Sequence, residues 1–212
     1  YEKAMRERNR LLKDGVRDAA WYGALEAQMA QTGGKIIRHR QDAVARLQGA
    51  QMQAETHFPN ADLRITHPEL DLTDDVMALR DAISESRPRD LAAGRSLVGP
   101  HRADLEGRFV AKDIAARDCS TGEQKALLIS IILANARALR AEIGAAPLVL
   151  LDEVSAHLDE NRRAALYDEI CALDAQAWMT GTEDHLFDHF RGRAQVFHVE
   201  EVAGESRITS LS

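Results

Sequence analysis

The sequence is poor in the residues that staple a fold or carry it through a membrane. Only two of its 212 residues are cysteine, Cys119 and Cys171, and no second thiol stands at zinc-ligand spacing from either. That excludes a disulfide-stapled miniprotein and reads both as packing residues. With no secretory leader at its start, the chain is expected in a reducing cytoplasm. Long apolar runs are also missing. The longest, Ala126 to Ala134, contains Ser130 and lies between Lys125 and Asn135, far short of the ~20 residues that cross a bilayer. No membrane partner is therefore expected. Internal repeats and low-complexity segments are absent, and the chain opens at Tyr1 rather than at methionine, which suggests a fragment or a processed product. What is there is a globular balance, 45% hydrophobic and 29% charged. It rules out a mainly disordered or collagen-like chain and leaves room for one large domain or two small ones.

Positive charge is in the minority, with 27 Lys and Arg against 34 Asp and Glu for a net of -7, which argues against a generic polycationic nucleic-acid binder. The first 50 residues nevertheless hold 10 basic and 6 acidic side chains, so the remainder carries a net of -11. Arg6, Arg8, Arg10, Lys13 and Arg17, then Lys35, Arg38, Arg40 and Arg46, could reach phosphates if they share a face. The plainer reading is a solvated helical surface.

From Glu2 to about Thr56 there is no proline, and Leu12, Val16, Ala19, Tyr22, Leu25 and Met29 step by three or four, the helical period. Ile37, Val44 and Leu47 continue it. Gly33 and Gly34 interrupt it, so two helices or one long helix with a weak point are expected. Leu63 to Ile65, bracketed by Phe58-Pro59-Asn60 and His67-Pro68, suits a short strand, and Thr73 to Glu85 a helix. Arg87-Pro88-Arg89-Asp90 is read as the end of this lobe. Residues 1–90 are thus expected to form a helical domain.

Beyond residue 90 strands and helices alternate at α/β spacings. Leu105 to Val110 reads as a strand. Ser120 to about Glu142 reads as a helix opened by a capping box, Ser120 with Glu123. Leu148 to Leu151 is an apolar run of the kind buried on both faces of a parallel sheet. A helix over about Glu160 to Leu173, a strand near Ala177 to Thr180 and a terminal hairpin (Gln195 to Val199, Gly204, Arg207 to Thr209) complete the α/β region.

Two acids, Asp152 and Glu153, follow the buried run directly, at the carboxyl edge where open α/β sheets bind ligands. One acid there can hold Mg2+ in its water shell, and the second can orient or deprotonate a water. A strand ending in Asp-Glu is as often only a solvated end. Thirty-two residues earlier, Ser120-Thr121-Gly122-Glu123-Gln124-Lys125 opens the long helix with a hydroxyl, a glycine and unpaired N–H groups, a start that attracts phosphate. Its plain alternative is a well-capped helix. Directly after the acids, Ser155-Ala156-His157-Leu158-Asp159 forms a short polar turn.

Taken in this order, the three elements resemble the ABC-type ATPases: Ser120 through Gln124 their signature motif, Leu148 through Glu153 their Walker B strand, Ser155 through Asp159 their D-loop. Gly99-Pro100-His101-Arg102-Ala103-Asp104-Leu105 and the Glu-Gln-Lys continuation of the signature are similar to those of the SMC-like RecF family, whose helical arm the first lobe also resembles. The resemblance implies an α/β, incomplete ABC-type head (91–212) with a helical arm (1–90). It implies that Asp152 holds Mg2+ and that Glu153 acts on the attacking water. Ser120, Thr121, Gly122, Glu123 and Gln124 would meet ATP held by a second copy, and Ser155, His157 and Asp159 would couple the two sites. It also implies an ATP-dependent homodimer on DNA, duplex or junction, with slow hydrolysis, acting in recombinational repair with RecO- and RecR-type mediators. Arg38, Arg40 and Arg46 are the candidate DNA contacts. Another SMC-like or ABC head, or a non-catalytic binding module, would keep the same motifs.

A P-loop, G-x-x-x-x-G-K-[ST], is missing: Thr32-Gly33-Gly34-Lys35-Ile36 comes nearest, with Met29 and Ile36 at the first glycine and hydroxyl positions. The family carries its P-loop near the N-terminus, so this chain alone is expected to be inactive. No imidazole follows the strand after Walker B; Thr180 or Thr182 could offer a hydroxyl to the γ-phosphate there, while His185, expected in the following helix, reads as a surface or structural residue. Trp21, Tyr22 and Trp178 read as packing residues. His101 and Arg102 could touch DNA, nucleotide or the opposing head, or His101 could be tied into a local hydrogen-bond network.

Overall fold

The computed structural model describes residues 1–54, 58–69, 71, 73–190 and 192–210, with the side chains of 156, 157 and 184 outside the description. The chain divides into two interleaved compact units, Tyr1–Gln48 with Asp62–Arg108, and Gly49–Ala61 with Phe109–Ser212. A division by sequence order at residue 90 differs from this one over 49–61 and 91–108.

In the first unit, the helical period is broken by Gly15 at φ 64. Helix α1 (Glu2–Lys13) ends there and α2 (Ala19–Met52) follows, its first N–H groups at Ala20 and Trp21 accepted by Asp18. The expected weak point at Gly33-Gly34 does not interrupt α2. The glycines instead permit close approach: a Cβ on Gly34 would stand 2.8 Å from the Asp74 carbonyl oxygen, and one on Gly33 3.0 Å from Leu79 Cδ2. Leu12, Tyr22, Leu25, Met29 and Ile37 pack with Ala4, Leu11, Leu79, Ile83 and Val98 in one core. Asp75 caps α3 (Val76–Glu85) by accepting from the N–H groups of Met77 and Ala78, so that helix begins later than its apolar spacing suggests. Arg87-Pro88 does not end the lobe. Proline is tolerated in a first turn, and these residues open α4 (Arg87–Ala93), closed by Gly94 in the left-handed conformation. Strand β1 (Ala61–Thr66) neighbours β2 (Asp104–Phe109).

A charged cluster lies inside this unit. Arg8, 0% exposed, donates to Glu26 at 3.2 Å, Asp90 at 2.7 Å, Ser96 Oγ at 2.8 Å and the Ile83 carbonyl at 3.1 Å. Arg87 covers the other side of Glu26, and both guanidinium groups flank the Tyr22 ring. With every charge paired, the cluster is tolerated in the core; removing one partner from such a group typically costs about 3–5 kcal/mol.

The second unit holds β3 (Ile114–Ala115), α5 (Thr121–Ile143), β4 (Val149–Leu151), α6 (Glu160–Ala172), β5 (Ala177–Met179) and the hairpin β6 (Phe197–Val202) with β7 (Glu205–Ser210). Strands β4 and β5 are parallel, with Leu150 opposite Trp178. Ala126, Ile129 and Leu133 of α5 pack with Val149, Leu151, Leu166, Tyr167 and Ile170. Arg137 on α5 bridges the buried Glu169 on α6 at 2.7 Å. The expectation that β4 is buried on both faces fails: Val149 and Leu151 are buried, but Leu150 is 70% exposed. Trp178 opposite it, and Trp21 in the other unit, are also more than half exposed, so of the three aromatics read as packing only Tyr22 is buried. Cys119 is buried as expected and Cys171 is not. The β6–β7 hairpin turns through Ala203 and Gly204, both at positive φ, the geometry that matches strand twist in a two-residue loop. No described helix is long and apolar enough to cross a membrane.

Candidate nucleotide site

The start of α5 is built as its sequence suggests. Ser120 is extended, its Oγ accepts from the Glu123 N–H, and a Glu123 carboxylate oxygen accepts from the Ser120 N–H at 2.9 Å and its hydroxyl at 2.8 Å, a complete capping box. Ser120, Thr121 and Gln124 are exposed and Gly122 is half-buried, so this helix start with its unpaired donors faces solvent. Glu123 behaves differently from its motif neighbours. It is buried, paired with Lys112 and 3.6 Å from Arg162. Lys112 first, then the Ser120 N–H and hydroxyl, pull its pKa from 4.5 down to about 2. Glu123 therefore anchors the motif internally rather than presenting a group to a phosphate. Gln124 ties the preceding loop down by donating to the Arg117 and Cys119 carbonyls, both at 3.1 Å.

At the end of β4, Asp152 is exposed and Glu153 half-buried. Glu153 stands at φ 53, a left-handed conformation uncommon for a non-glycine residue. Thr180, just past β5, holds both. Its N–H bonds the Leu151 carbonyl at 3.1 Å, its hydroxyl donates to Asp152 Oδ1, and its Oγ1 accepts from the Glu153 N–H at 3.1 Å. The Thr180 hydroxyl is thus committed to the two acids. His185 lies instead in the 3-10 segment Asp184–Phe190, exposed and 3.2 Å from Glu183.

The turn after the acids is a 3-10 segment, Val154–His157. Ser155 is fully buried, its Oγ 2.9 Å from the Tyr167 hydroxyl oxygen, and the Tyr167 hydroxyl donates to the Leu186 carbonyl. Its side chain consequently fixes the turn and does not reach the surface. The His157 side chain lies outside the described residues. Asp159 is exposed and caps α6 by accepting from the Arg162 N–H at 2.9 Å. Arg162, 3.3 Å from the Asp159 carboxylate and 3.6 Å from Glu123, connects the turn to the start of α5.

The exposed Asp152 carboxylate suits a hard cation such as Mg2+, and among the described residues no group of three or more His, Cys, Asp or Glu gathers to form a closed metal site. Two surface clefts among the described residues lie elsewhere, in the first unit, one beside Ile37 and Val44 and the other along Arg6, Arg10 and Lys13. Of the candidate DNA contacts, Arg38 is paired with Asp74 at 2.8 Å, Arg40 donates to the Pro100 carbonyl at 2.6 Å, and Arg46 also has an internal partner.

Sequence reasoning singled out the helix start and the two acids but missed Lys112, Arg162 and Tyr167. Each acts across a sequence gap of 11 residues or more, so no local pattern announces them.

No protein-family profile matches the chain. It is 46% identical over 212 residues to the DNA replication and repair protein RecF of Allorhizobium ampelinum, spanning 95% of this chain and 56% of that protein. To RecF of Brucella abortus it is 49% identical, spanning 94% and 54%. The chain belongs to the RecF family, whose C-terminal part it matches. It spans little more than half the length of these RecF relatives. Among solved structures, the recombination mediator protein RecF with ATP, of the RecFOR pathway, superposes with a TM-score of 0.72 at 21% identity, covering 100% of this chain and 57% of that one. A structure from work on ATP-driven dimerization and DNA-stimulated activation of SMC ATPases gives 0.53 at 16%, covering 84% and 89%. The fold is therefore the α/β fold that RecF shares with SMC-type ABC ATPase heads.

Proposed function

We propose that this chain is the part of a RecF-like DNA-repair ATPase that completes nucleotide sites between two copies. The observation that carries the reading is that one unit presents two solvent-facing halves of phosphate chemistry. One is the uncovered α5 start at Ser120; the other is the Asp152–Glu153 strand end held by Thr180. In this reading Ser120, Thr121 and the Gly122 amide meet the γ-phosphate of ATP bound by the partner copy, while Gln124, whose amide donates to the Arg117 and Cys119 carbonyls, holds the loop before them. Glu123 holds that helix start in shape through Lys112 and Arg162. Mg2+, when bound, screens phosphate charge, and Asp152 is the carboxylate that holds it. Glu153 accepts the proton of the attacking water, its direction set by the left-handed backbone that Thr180 supports. Asp159 and the turn anchored by Ser155 couple the sites through Arg162.

The P-loop of the complete site is assigned to the portion of RecF relatives that this chain does not match, so the chain alone is expected to hydrolyse no ATP. The open face at Leu150 and Trp178 is the surface we assign to that portion. At the level of the whole protein, ATP closes the dimer on DNA, hydrolysis reopens it, and the outcome is recombinase loading at gaps or stalled forks with RecO- and RecR-type mediators. Arg38, Arg40 and Arg46 are secondary DNA contacts in this proposal, because each already has an internal partner.

In the full-length protein, Glu153→Gln keeps the size of the side chain and removes its basicity. It is expected to lower ATP turnover at least ~100-fold, the lower range for a lost general base, while an ATP-bound dimer accumulates on gel filtration. Wild-type phosphate release by the variant would remove Glu153 from the mechanism.

A further inference from the structure

Arg102 closes a turn that side chains hold from several directions, all within the first unit. Gly99 sits at φ 135, and a Cβ there would stand 2.3 Å from Tyr1 Oη, so only glycine fits. The Arg102 N–H bonds the Gly99 carbonyl at 3.0 Å, and Arg40 donates to the Pro100 carbonyl at 2.6 Å. His101 is spent on the same turn. Its Nε2 lies 3.1 Å from the Ser96 carbonyl, which can only accept, so Nε2 carries the proton and Nδ1 accepts from the Tyr1 hydroxyl at 2.8 Å. Burial, with the nearby Arg102 charge adding to it, holds the His101 pKa below its ordinary value, in keeping with that neutral ring. Ser96 is pinned in turn: its N–H and hydroxyl donate to Asn9 Oδ1 at 2.7 and 2.9 Å, and the buried Arg8 donates to its Oγ. Asp90 fixes the next residue through the Leu97 N–H at 2.9 Å.

Both ring nitrogens of His101 therefore have internal partners, which resolves that residue in favour of the local network. The Arg102 side chain is the opposite case. It is exposed and makes no hydrogen bond or ion pair with any described residue. His67, close enough to feel its charge, accepts the Glu69 N–H at Nδ1, which leaves Nε2 as the protonated nitrogen, buried and without a partner. Glu69 pairs with Arg89 at 2.8 Å, and Asp104, two residues on from Arg102, accepts the Leu105 N–H at Oδ1.

We propose that Arg102 is a phosphate-recognition residue, presented by this pre-formed turn. A guanidinium fork suits phosphate oxygens two at a time, and a rigid backbone beneath it lowers the entropy lost on binding. Arg40, which holds the same turn, adds a second positive charge and favours an anion of high charge over a single carboxylate. The proposal rests on the nucleotide- and DNA-handling reading above. The shared chemistry is a phosphate group, borne either by nucleic acid or by nucleotide.

The test compares full-length wild type, Arg102→Ala and Arg102→Lys. The probes are a labelled duplex with a single-stranded end and a fluorescent ATP analogue with Mg2+. Arg102→Ala is expected to weaken one probe ~5- to 10-fold, as for a lost charge-assisted contact, with Tm unchanged because no internal partner is lost. Arg102→Lys, which keeps the charge without the fork, recovers part of it. Weaker DNA binding with a salt slope reduced by about one assigns the phosphate to nucleic acid. Weaker analogue binding with DNA binding unchanged assigns it to nucleotide. If wild type binds both probes and Arg102→Ala matches it on both, the proposal is overturned and the parent reading stands. If wild type binds neither, both fall together.

Discussion

Thr180 joins three residues that the sequence leaves 27 to 29 positions away. Its hydroxyl donates to Asp152 and accepts from the Glu153 N–H, so Thr180→Val strands one acceptor and one donor at the strand end. Because both groups are open to water, the expected stability loss is only ~1 kcal/mol. ATP turnover in the full-length protein should fall ~10-fold or more, since the left-handed Glu153 backbone loses its support. Thr180→Ser should restore most of it, and wild-type turnover in the valine variant would show that the hydroxyl does not position the acids. Glu123 yields a pH prediction. Its folded pKa, about 2, lies below the ordinary 4.5, so folding favours the charged carboxylate. That stabilisation is complete above 4.5 and is lost as pH falls toward 2. In urea unfolding, the gap in stability between wild type and Glu123→Gln should therefore narrow from pH 5 to pH 3; a constant gap would contradict the pairing with Lys112. At this scale the sequence showed the capped, exposed helix start at Ser120-Thr121-Gly122 and the paired acids Asp152-Glu153, because each candidate is written contiguously. It was not readable at Lys112 or Arg162, and at Thr180 it suggested a γ-phosphate contact rather than a hold on the two acids, because these partners are set by packing.

Helix α2 separates propensity from packing. Gly33 and Gly34 look like a weak point when only the helical period is considered, because glycine disfavours a helix interior. What the period cannot show is a neighbour: the Asp74 carbonyl passes so close to Gly34 that a Cβ would lie 2.8 Å from it, whereas a Cβ on Gly49 meets nothing within 4 Å. The same substitution should act with opposite sign at the two sites. Gly49→Ala should stabilise by about 0.5–1 kcal/mol. Gly34→Ala should destabilise by about 1–3 kcal/mol, as overpacking does. Denaturant midpoints of the two variants check this, and equal shifts would mean that the approach of Asp74 is not tight. Helix α5 was legible almost to its ends because capping box and apolar residues agree, and Gly144 in the left-handed conformation closes it. In α4, by contrast, a proline in the first turn read as a breaker. The β4 run was recognised as a strand, but its apolar residues could not tell a strand covered on both faces from one with Leu150 left open.

At the scale of the whole molecule, the α/β fold was legible from the alternation of strands and helices after residue 90, and the interleaving of two units was not. Residues 49–61 belong with the α/β unit although they lie inside the helical stretch of sequence; that is a matter of long-range packing, on which local periodicity is silent. The account's central claim is that the uncovered start of α5 at Ser120 is half of a nucleotide site completed by a second copy. Sedimentation of the full-length protein with ATP and Mg2+, wild type beside Ser120→Arg, tests it most directly. The arginine would fill the space where the partner's γ-phosphate is to lie, leaving each copy's own nucleotide contacts untouched. The account predicts that wild type shifts to a dimer with ATP while the variant binds nucleotide as a monomer. A variant that dimerises with ATP as wild type does would contradict it.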